Sequence, residues 1–323
     1  MQLLNTLLLA TLLLATLLFS PQTQSAPAAN VALPTVASGR IQRLVKFASE
    51  HVPARNVDVW LPSNYPSAGK YAVLYMHDGQ MLFDAGQTWN HQEWRADEVA
   101  GELIASGRTQ PFIIVGIWNA GAERHSEYFP QKPYESLSRK QRRVLKKSNR
   151  DQDTPLLARR INSDRYLKFV VGELKPYIDK HFAVLRSPEH TFVMGSSMGA
   201  LISLYALAEY PDVFGGAACL STHWPGAHTL DDNPIPDAFL RYIGAHLPAA
   251  KWHRIYFDHG TATLDALYPA LQARVDGLMR AKDYPSNLWQ TRVFPAAEHS
   301  EKAWSERLHL PMEFLLKPAV DAD

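Results

Sequence analysis

The sequence predicts an α/β fold: a mostly parallel central sheet with helices on both faces. Apolar, β-branched runs alternate with helical patterns along most of the chain, as expected when strands are joined by helical crossovers. One such run leads through a glycine-flanked serine directly into a helical segment. Apolar residues make up 46% and charged residues 20% of 323, which permits a large core.

Strands are expected at Ile41–Phe47, Val57–Leu61, Ala72–Met76, Phe112–Ile117, Thr191–Met194, Gly216–Ser221, Arg254–Asp258 and Gln290–Phe294. The middle ones are continuously apolar, as in strands buried on both faces. The first come without intervening helices, so the sheet should open with an antiparallel pair. A helix should start at Ser163, with Tyr166, Phe169, Val170, Leu174, Tyr177 and Ile178 on one stripe. Further helices are expected over Ala200–Tyr210, Asp265–Lys282 and Glu301–Leu316. Residues 131–160 interrupt this rhythm, with ten Lys or Arg against three acids and poor apolar periodicity. They form either a solvated surface excursion or a cap over the active site.

The net charge of +1 gives no global attraction to nucleic acid or an anionic membrane. The single cysteine, Cys219, lies in an apolar run and reads as a core residue. Leu3 to Phe19 is an apolar stretch of Leu, Ala and Thr followed by Ala26-Pro27-Ala28. It reads as a secretory signal peptide over residues 1–28, leaving a single α/β domain over 29–323. An uncleaved anchor is the alternative. The body of the protein is then expected in the periplasm or secreted, with no stable membrane insertion after cleavage.

Thr191–Met194 runs into Gly195-Ser196-Ser197-Met198-Gly199, the Gly-x-Ser-x-Gly of a nucleophile elbow. Such a turn lifts the serine hydroxyl above the sheet edge and aims a helix N-terminus at it, where developing negative charge is favoured. Ser197, with glycines two residues away on either side, is the nucleophile; Ser196 is flanked by methionines. A serine hydroxyl needs a base, and the base needs an acid to orient it. In α/β-hydrolases the order along the chain is Ser, acid, His. His299 follows the last strand and is the expected base, ahead of His253 and His309. Asp258 and Asp265 compete for the acid. Asp258 ends a strand, so its direction is set by the sheet. Asp265 follows Gly260-Thr261, a turn that can redirect the chain across the sheet top, and is the expected acid; its bland role is to cap the next helix. The oxyanion donors are expected to be the backbone N–H groups of Met198 and Gln80.

Val73 to Gln80, Gly116-Ile117-Trp118-Asn119, Arg124-His125-Ser126-Glu127-Tyr128, the elbow and His299 together resemble the putative-esterase family, over about residues 41–316. That family resembles carbohydrate esterases (feruloyl and acetyl), esterase D and siderophore esterases. The resemblance implies an α/β-hydrolase fold and a Ser-Asp-His carboxylic ester hydrolase acting on a small-molecule or carbohydrate ester, without metal or cofactor. Relatives place the acid shortly after a Gly-Thr pair, which also favours Asp265. Asp78 departs from the His-Gly pair that many relatives carry.

Near the expected site, Trp224 could stack on a substrate ring or pack within a loop, and His223 could donate hydrogen bonds. Arg124 and Glu127 could contact substrate or pair with each other. There is no His-Glu-x-x-His run, no paired-cysteine spacing and no Gly-rich phosphate loop. The alternatives to hydrolysis are acyl transfer with the same triad, or an inactive exported binding protein of the same fold.

Overall fold

In the computed structural model, residues 31–149, 154–157, 160–227 and 230–318 are described. The signal-peptide expectation falls outside them. No described helix is long and apolar enough to cross a membrane.

The eight expected strands are present: β1 (Arg40–Phe47), β2 (Arg55–Leu61), β3 (Ala72–His77), β4 (Phe112–Ile117), β5 (Thr191–Ser196), β6 (Gly216–Leu220), β7 (Arg254–His259) and β8 (Trp289–Val293). They form one sheet in the order β1-β2-β4-β3-β5-β6-β7-β8. β1 pairs antiparallel with β2, and β2 antiparallel with β4; every later pairing is parallel. The antiparallel opening is therefore as expected.

Side chains alternate across the sheet. Val73, Tyr75, Val193, Ala217, Cys219, Ile255 and Phe257 join one core cluster. Leu74, Met76, Phe192, Met194, Ala218, Leu220 and Tyr256 join the other. The helices in chain order are α1 (Ala96–Ala105), α2 (Arg124–Tyr128), α3 (Gln131–Glu135), α4 (Arg139–Leu145), α5 (Ser163–Phe169), α6 (Lys175–His181), α7 (Met198–Glu209), α8 (Ile235–His246), α9 (Pro269–Ala281), α10 (Glu301–Ser305) and α11 (His309–Leu315). α5 to α9 contribute to the first cluster, and α1, α10 and α11 to the second. A π-turn over Val170–Leu174 links α5 to α6 and keeps the expected stripe in register.

Three expectations need correction. The helix expected from Asp265 begins at Pro269, where proline's fixed φ and missing N–H suit the first helical position. The helix expected over Glu301–Leu316 is two, because Pro311 cannot donate a backbone hydrogen bond and sits instead in the first turn of α11. The described residues of 131–160 are better packed than their periodicity suggests. Tyr134, Leu137, Leu145 and Leu156 are buried in the first cluster, and Ser138 with Gln141 forms a capping box on α4.

Candidate active site

The parallel strands deliver their C-terminal ends to one edge of the sheet, where open α/β sheets bind ligands. β5 reaches that edge and turns into α7 at Ser197, whose φ of 57° and ψ of −121° lie where L-residues are strained. The turn is possible because the chain crosses itself closely: a Cβ at Gly195 would stand 2.7 Å from the Gly199 carbonyl carbon. Ser197 N–H donates to Leu220 O at 2.9 Å, and His223 N–H donates to Ser197 O at 3.3 Å, pinning the turn to the end of β6.

The loops after β7 and β8 are joined to each other. Thr261 N–H and Ala262 N–H both donate to Ala297 O, and Phe294 N–H donates to His259 O. This brings Asp265 and His299 together: His299 Nδ1 and Asp265 Oδ1 lie 2.6 Å apart. The second carboxylate oxygen accepts from Ser221 Oγ and Gly260 N–H, each at 2.6 Å. Burial alone would raise the Asp265 carboxyl, but these donors, His299 foremost, outweigh it and hold the group below its ordinary value. The His299 ring is fixed edge-on between Tyr268 and Trp304, with centroids 5.9 and 5.0 Å away. His299 lines a cleft of about 940 Å³ that Ser197 and Ser196 also line. No hydrogen bond joins Ser197 to His299 among the described residues. Such contacts are often long until substrate is bound.

Asp258 is engaged elsewhere. Its side chain leaves β7 on the Tyr256 side of the sheet and meets Arg307 Nη2 at 3.1 Å; the same nitrogen reaches Ser221 Oγ at 3.1 Å. Trp304 Nε1 also donates to Ser221 Oγ, at 2.9 Å. Burial raises the Asp258 carboxyl despite Arg307. Ser221, at φ 44°, is thus the hinge between the two carboxylates, and the sequence did not reveal it.

The other expected site residues divide. Gln80 lines the cleft in the turn after β3, next to Gly79. Gly79 is required there, since a Cβ would lie 2.4 Å from the Gly116 carbonyl carbon. Met198 opens α7, whose first backbone N–H groups have no intrahelical acceptor. His223 lines the cleft, with Nδ1 2.9 Å from the Tyr268 hydroxyl. Arg124 lines it too, but its partner is Asp78 rather than Glu127. Glu127 is a correction: it is fully buried in a bidentate pair with Arg55, both contacts 2.7 Å, and lies outside the cleft lining. Trp224 is another: 2% exposed, it donates Nε1 to Gln272 Oε1 and packs near Phe257, in the core rather than the cleft.

The cleft holds residues that the sequence reading missed. Trp89 lines it while 82% exposed. Its signal was available: a tryptophan in the polar run Gln87-Thr88-Trp89-Asn90-His91-Gln92 has no apolar stripe to join. Leu156 of the basic insertion also lines the cleft.

This sheet order, with its strained serine turn and the His–Asp contact across the loops after β7 and β8, is that of an α/β-hydrolase-type esterase scaffold. Residues 53–312 match the family described as "Putative esterase", and the chain belongs to that family. Among relatives, an uncharacterized protein of Bacillus subtilis (strain 168), YjcH, is 25% identical over 179 residues, covering 55% of this chain and 60% of the relative. The chain thus matches 60% of that relative's length. Among solved structures, a ferulic acid esterase superposes with a TM-score of 0.61 at 17% identity, covering 86% of this chain and 98% of that one. An enterochelin esterase from Shigella flexneri superposes with a TM-score of 0.57 at 17% identity, covering 87% and 59%. At such identities the likeness is one of fold.

Proposed function

We propose that this protein is an exported serine esterase that cleaves carboxylic esters through Ser197, His299 and Asp265. The observation that carries the reading is the 2.6 Å contact of His299 Nδ1 with buried Asp265, beside a cleft shared with a serine on a strained strand-to-helix turn. Membership of an esterase family supports it. The apolar leader with its Ala-x-Ala site supports export.

In this mechanism Asp265 accepts the hydrogen bond that His299 Nδ1–H donates, which holds the tautomer in which Nε2 is the free base. His299 takes the Ser197 proton as Oγ attacks the ester carbonyl. The oxyanion of the tetrahedral intermediate is met by the N–H groups of Met198 and Gln80 and by the positive end of α7. On collapse, His299 protonates the leaving alcohol, and an acyl-Ser197 remains. Water, deprotonated by His299, then releases the acid and restores the serine. Asp265 stays ionised throughout.

The cleft suits an ester carrying a ring, because Trp89 stands exposed along it and His223 supplies a polar contact. Feruloyl-type, acetylated-carbohydrate and siderophore esters all meet this description. The test is a screen of the mature protein on short p-nitrophenyl esters, acetylated sugars, feruloyl esters and a trilactone siderophore. Fluorophosphonate labelling, mapped by mass spectrometry, accompanies it. Turnover with labelling at Ser197 is expected. Neither turnover nor labelling would mean a binding protein, and ester products formed with added sugar or lipid alcohols in preference to acid would mean acyl transfer.

A further inference from the structure

Asp78 stands between β3 and the Gly79–Met81 turn in the left-handed region, with φ 58° and ψ 44°. Aspartate tolerates this conformation better than most residues. Its carboxylate is closely held. Arg124 donates Nε to Oδ1 at 2.6 Å and Nη2 to Oδ2 at 2.7 Å, and Asn119 Nδ2 donates to Oδ1 at 2.6 Å. Arg124 in turn lies over the Tyr128 ring, 5.2 Å from its centroid. The carboxylate also abuts the first turn of α7, because a Cβ at Gly199 would stand 3.3 Å from Asp78 Oδ2.

This is an unfavourable place for an unbalanced negative charge. Asp78 is only 7% exposed. It lies two residues from Gln80 and against Gly199, the residue after Met198, so it is close in the chain or in space to both groups proposed to receive the oxyanion. A lone carboxylate there would repel the developing charge and draw on the positive potential of the α7 N-terminus. Burial alone would raise the Asp78 carboxyl, but Arg124 reverses this and holds it ionised, below its ordinary value. The adjacent His77 is no substitute cation, since burial pushes its pKa down to about 4.

We propose that the Arg124–Asp78 pair is a positioning device for the ester-cleaving site: the bidentate contact ties the turn bearing Gln80 to α2, beside the first turn of α7, and Arg124 cancels the Asp78 charge so that the donors act on the reacting ester's oxyanion. This rests on the esterase reading above. Arg124 and Asp78 are positioning residues and take no proton from the substrate.

The test compares wild type, Arg124→Gln, Asp78→Asn and the double variant on p-nitrophenyl acetate, with thermal midpoints and the affinity of phenylboronic acid, whose serine adduct carries a negative charge. Arg124→Gln is expected to lose about 10²–10³ in kcat, the range seen on losing an oxyanion donor, with KM within roughly threefold and a parallel loss of boronate affinity. The double variant, which removes both charges, is expected to recover at least about tenfold in kcat. A purely structural clamp makes the double variant no better than the worse single one. Wild-type kcat in Arg124→Gln, or no recovery in the double variant, would overturn the proposal. If Arg124→Gln does not fold, Arg124→Lys keeps the charge and loses only the fork, so kcat should stay within about tenfold; a 10³ loss at a native midpoint would overturn it equally. A wild-type protein with no turnover and no Ser197 labelling fails the esterase reading itself, and the two failures are thereby distinguished.

Discussion

Asp265→Asn should lower kcat by about 10⁴ while leaving the fold intact, and the hydrogen bonds around the carboxylate say why. Oδ2 accepts from both Ser221 Oγ and Gly260 N–H, at 2.6 Å each. The backbone N–H cannot reverse its role, so an asparagine must turn its carbonyl oxygen to that side. Its NH₂ then faces His299 Nδ1, which has to become an acceptor. The imidazole proton moves to Nε2, the nitrogen that should receive the Ser197 proton, and the base is lost by tautomer rather than by displacement. A factor of 10⁴ is about 5.4 kcal/mol of transition-state stabilisation. Asp258→Asn should act differently. It weakens a buried charge-assisted contact to Arg307 at 3.1 Å. The expected cost is about 1.5–3 kcal/mol of stability, at roughly 2–4 °C of midpoint per kcal/mol. The assay is kcat on one activated ester, normalised to the wild-type active-site titre, beside thermal midpoints of both variants. The assignment is refuted if Asp265→Asn keeps more than about a tenth of kcat, or if Asp258→Asn shows the larger kcat loss at an unchanged midpoint.

Ser197→Ala should abolish turnover, on the order of 10⁶ in kcat, whereas Ser196→Ala should cost far less; equal losses would move the nucleophile's register. Glu127→Gln should lower stability by about 3 kcal/mol, because Arg55 keeps its charge in a buried site, while KM of the folded protein stays unchanged. A KM rise without a midpoint change would return Glu127 to the substrate site. Trp89→Ala should leave the midpoint within about 0.5 kcal/mol and raise KM for ring-bearing esters up to roughly tenfold, with little effect on short acyl esters. Burial, with Glu98 beside it, raises the Asp97 carboxyl to about 7. Between its unfolded value and 7 the folded state therefore holds more protons, so stability falls as pH rises through that window. Asp97→Asn, followed by thermal midpoints from pH 5 to 8, should flatten the slope.

The sheet was legible because its signal is periodicity imposed by the core. Buried parallel strands such as β3 and β5 leave continuous apolar runs, and glycine, proline and polar clusters mark their ends. α1 was missed although Ala96, Ala100 and Leu103 follow helical spacing. Alanines make a weak apolar stripe, and Gly101 weakens it further. α8 was missed although Ile235, Ala238, Phe239, Tyr242 and Ile243 keep the same spacing, with Pro236 in its first turn. The basic insertion misled in the opposite direction. Its charges dominate the composition, yet Leu145 reaches the core from the end of α4, and Leu137 and Leu156 from bends, elements too short for spacing to show. Its deletion should therefore cost more stability than the sequence alone suggests.

The positions of the candidate site residues were legible in proportion to how far the backbone alone dictates them. Ser197 needs a strand, a turn and a helix in immediate succession, and His299 needs the end of a late strand; both conditions are local. The partners of charged side chains are set by packing between distant segments. Arg124 and Glu127 sit three residues apart in α2, a spacing that allows them to meet on one helix face. Instead Glu127 turns inward to Arg55 of β2, and Arg124 turns to Asp78 after β3. Each acid in this part of the molecule has a cation supplied by another element, so neither pair could be read from its own neighbourhood. The same holds for the two late aspartates. Asp265 and Asp258 are both buried carboxylates near one strand end, and what separates them is which partner each meets: a histidine from the loop after β8, or an arginine from the turn between α10 and α11. Ser221 Oγ touches the Asp265 carboxylate directly and the Asp258 carboxylate through Arg307. A change at either carboxylate can thus reach the other, and the midpoint and kcat must be measured together if the two roles are to be separated.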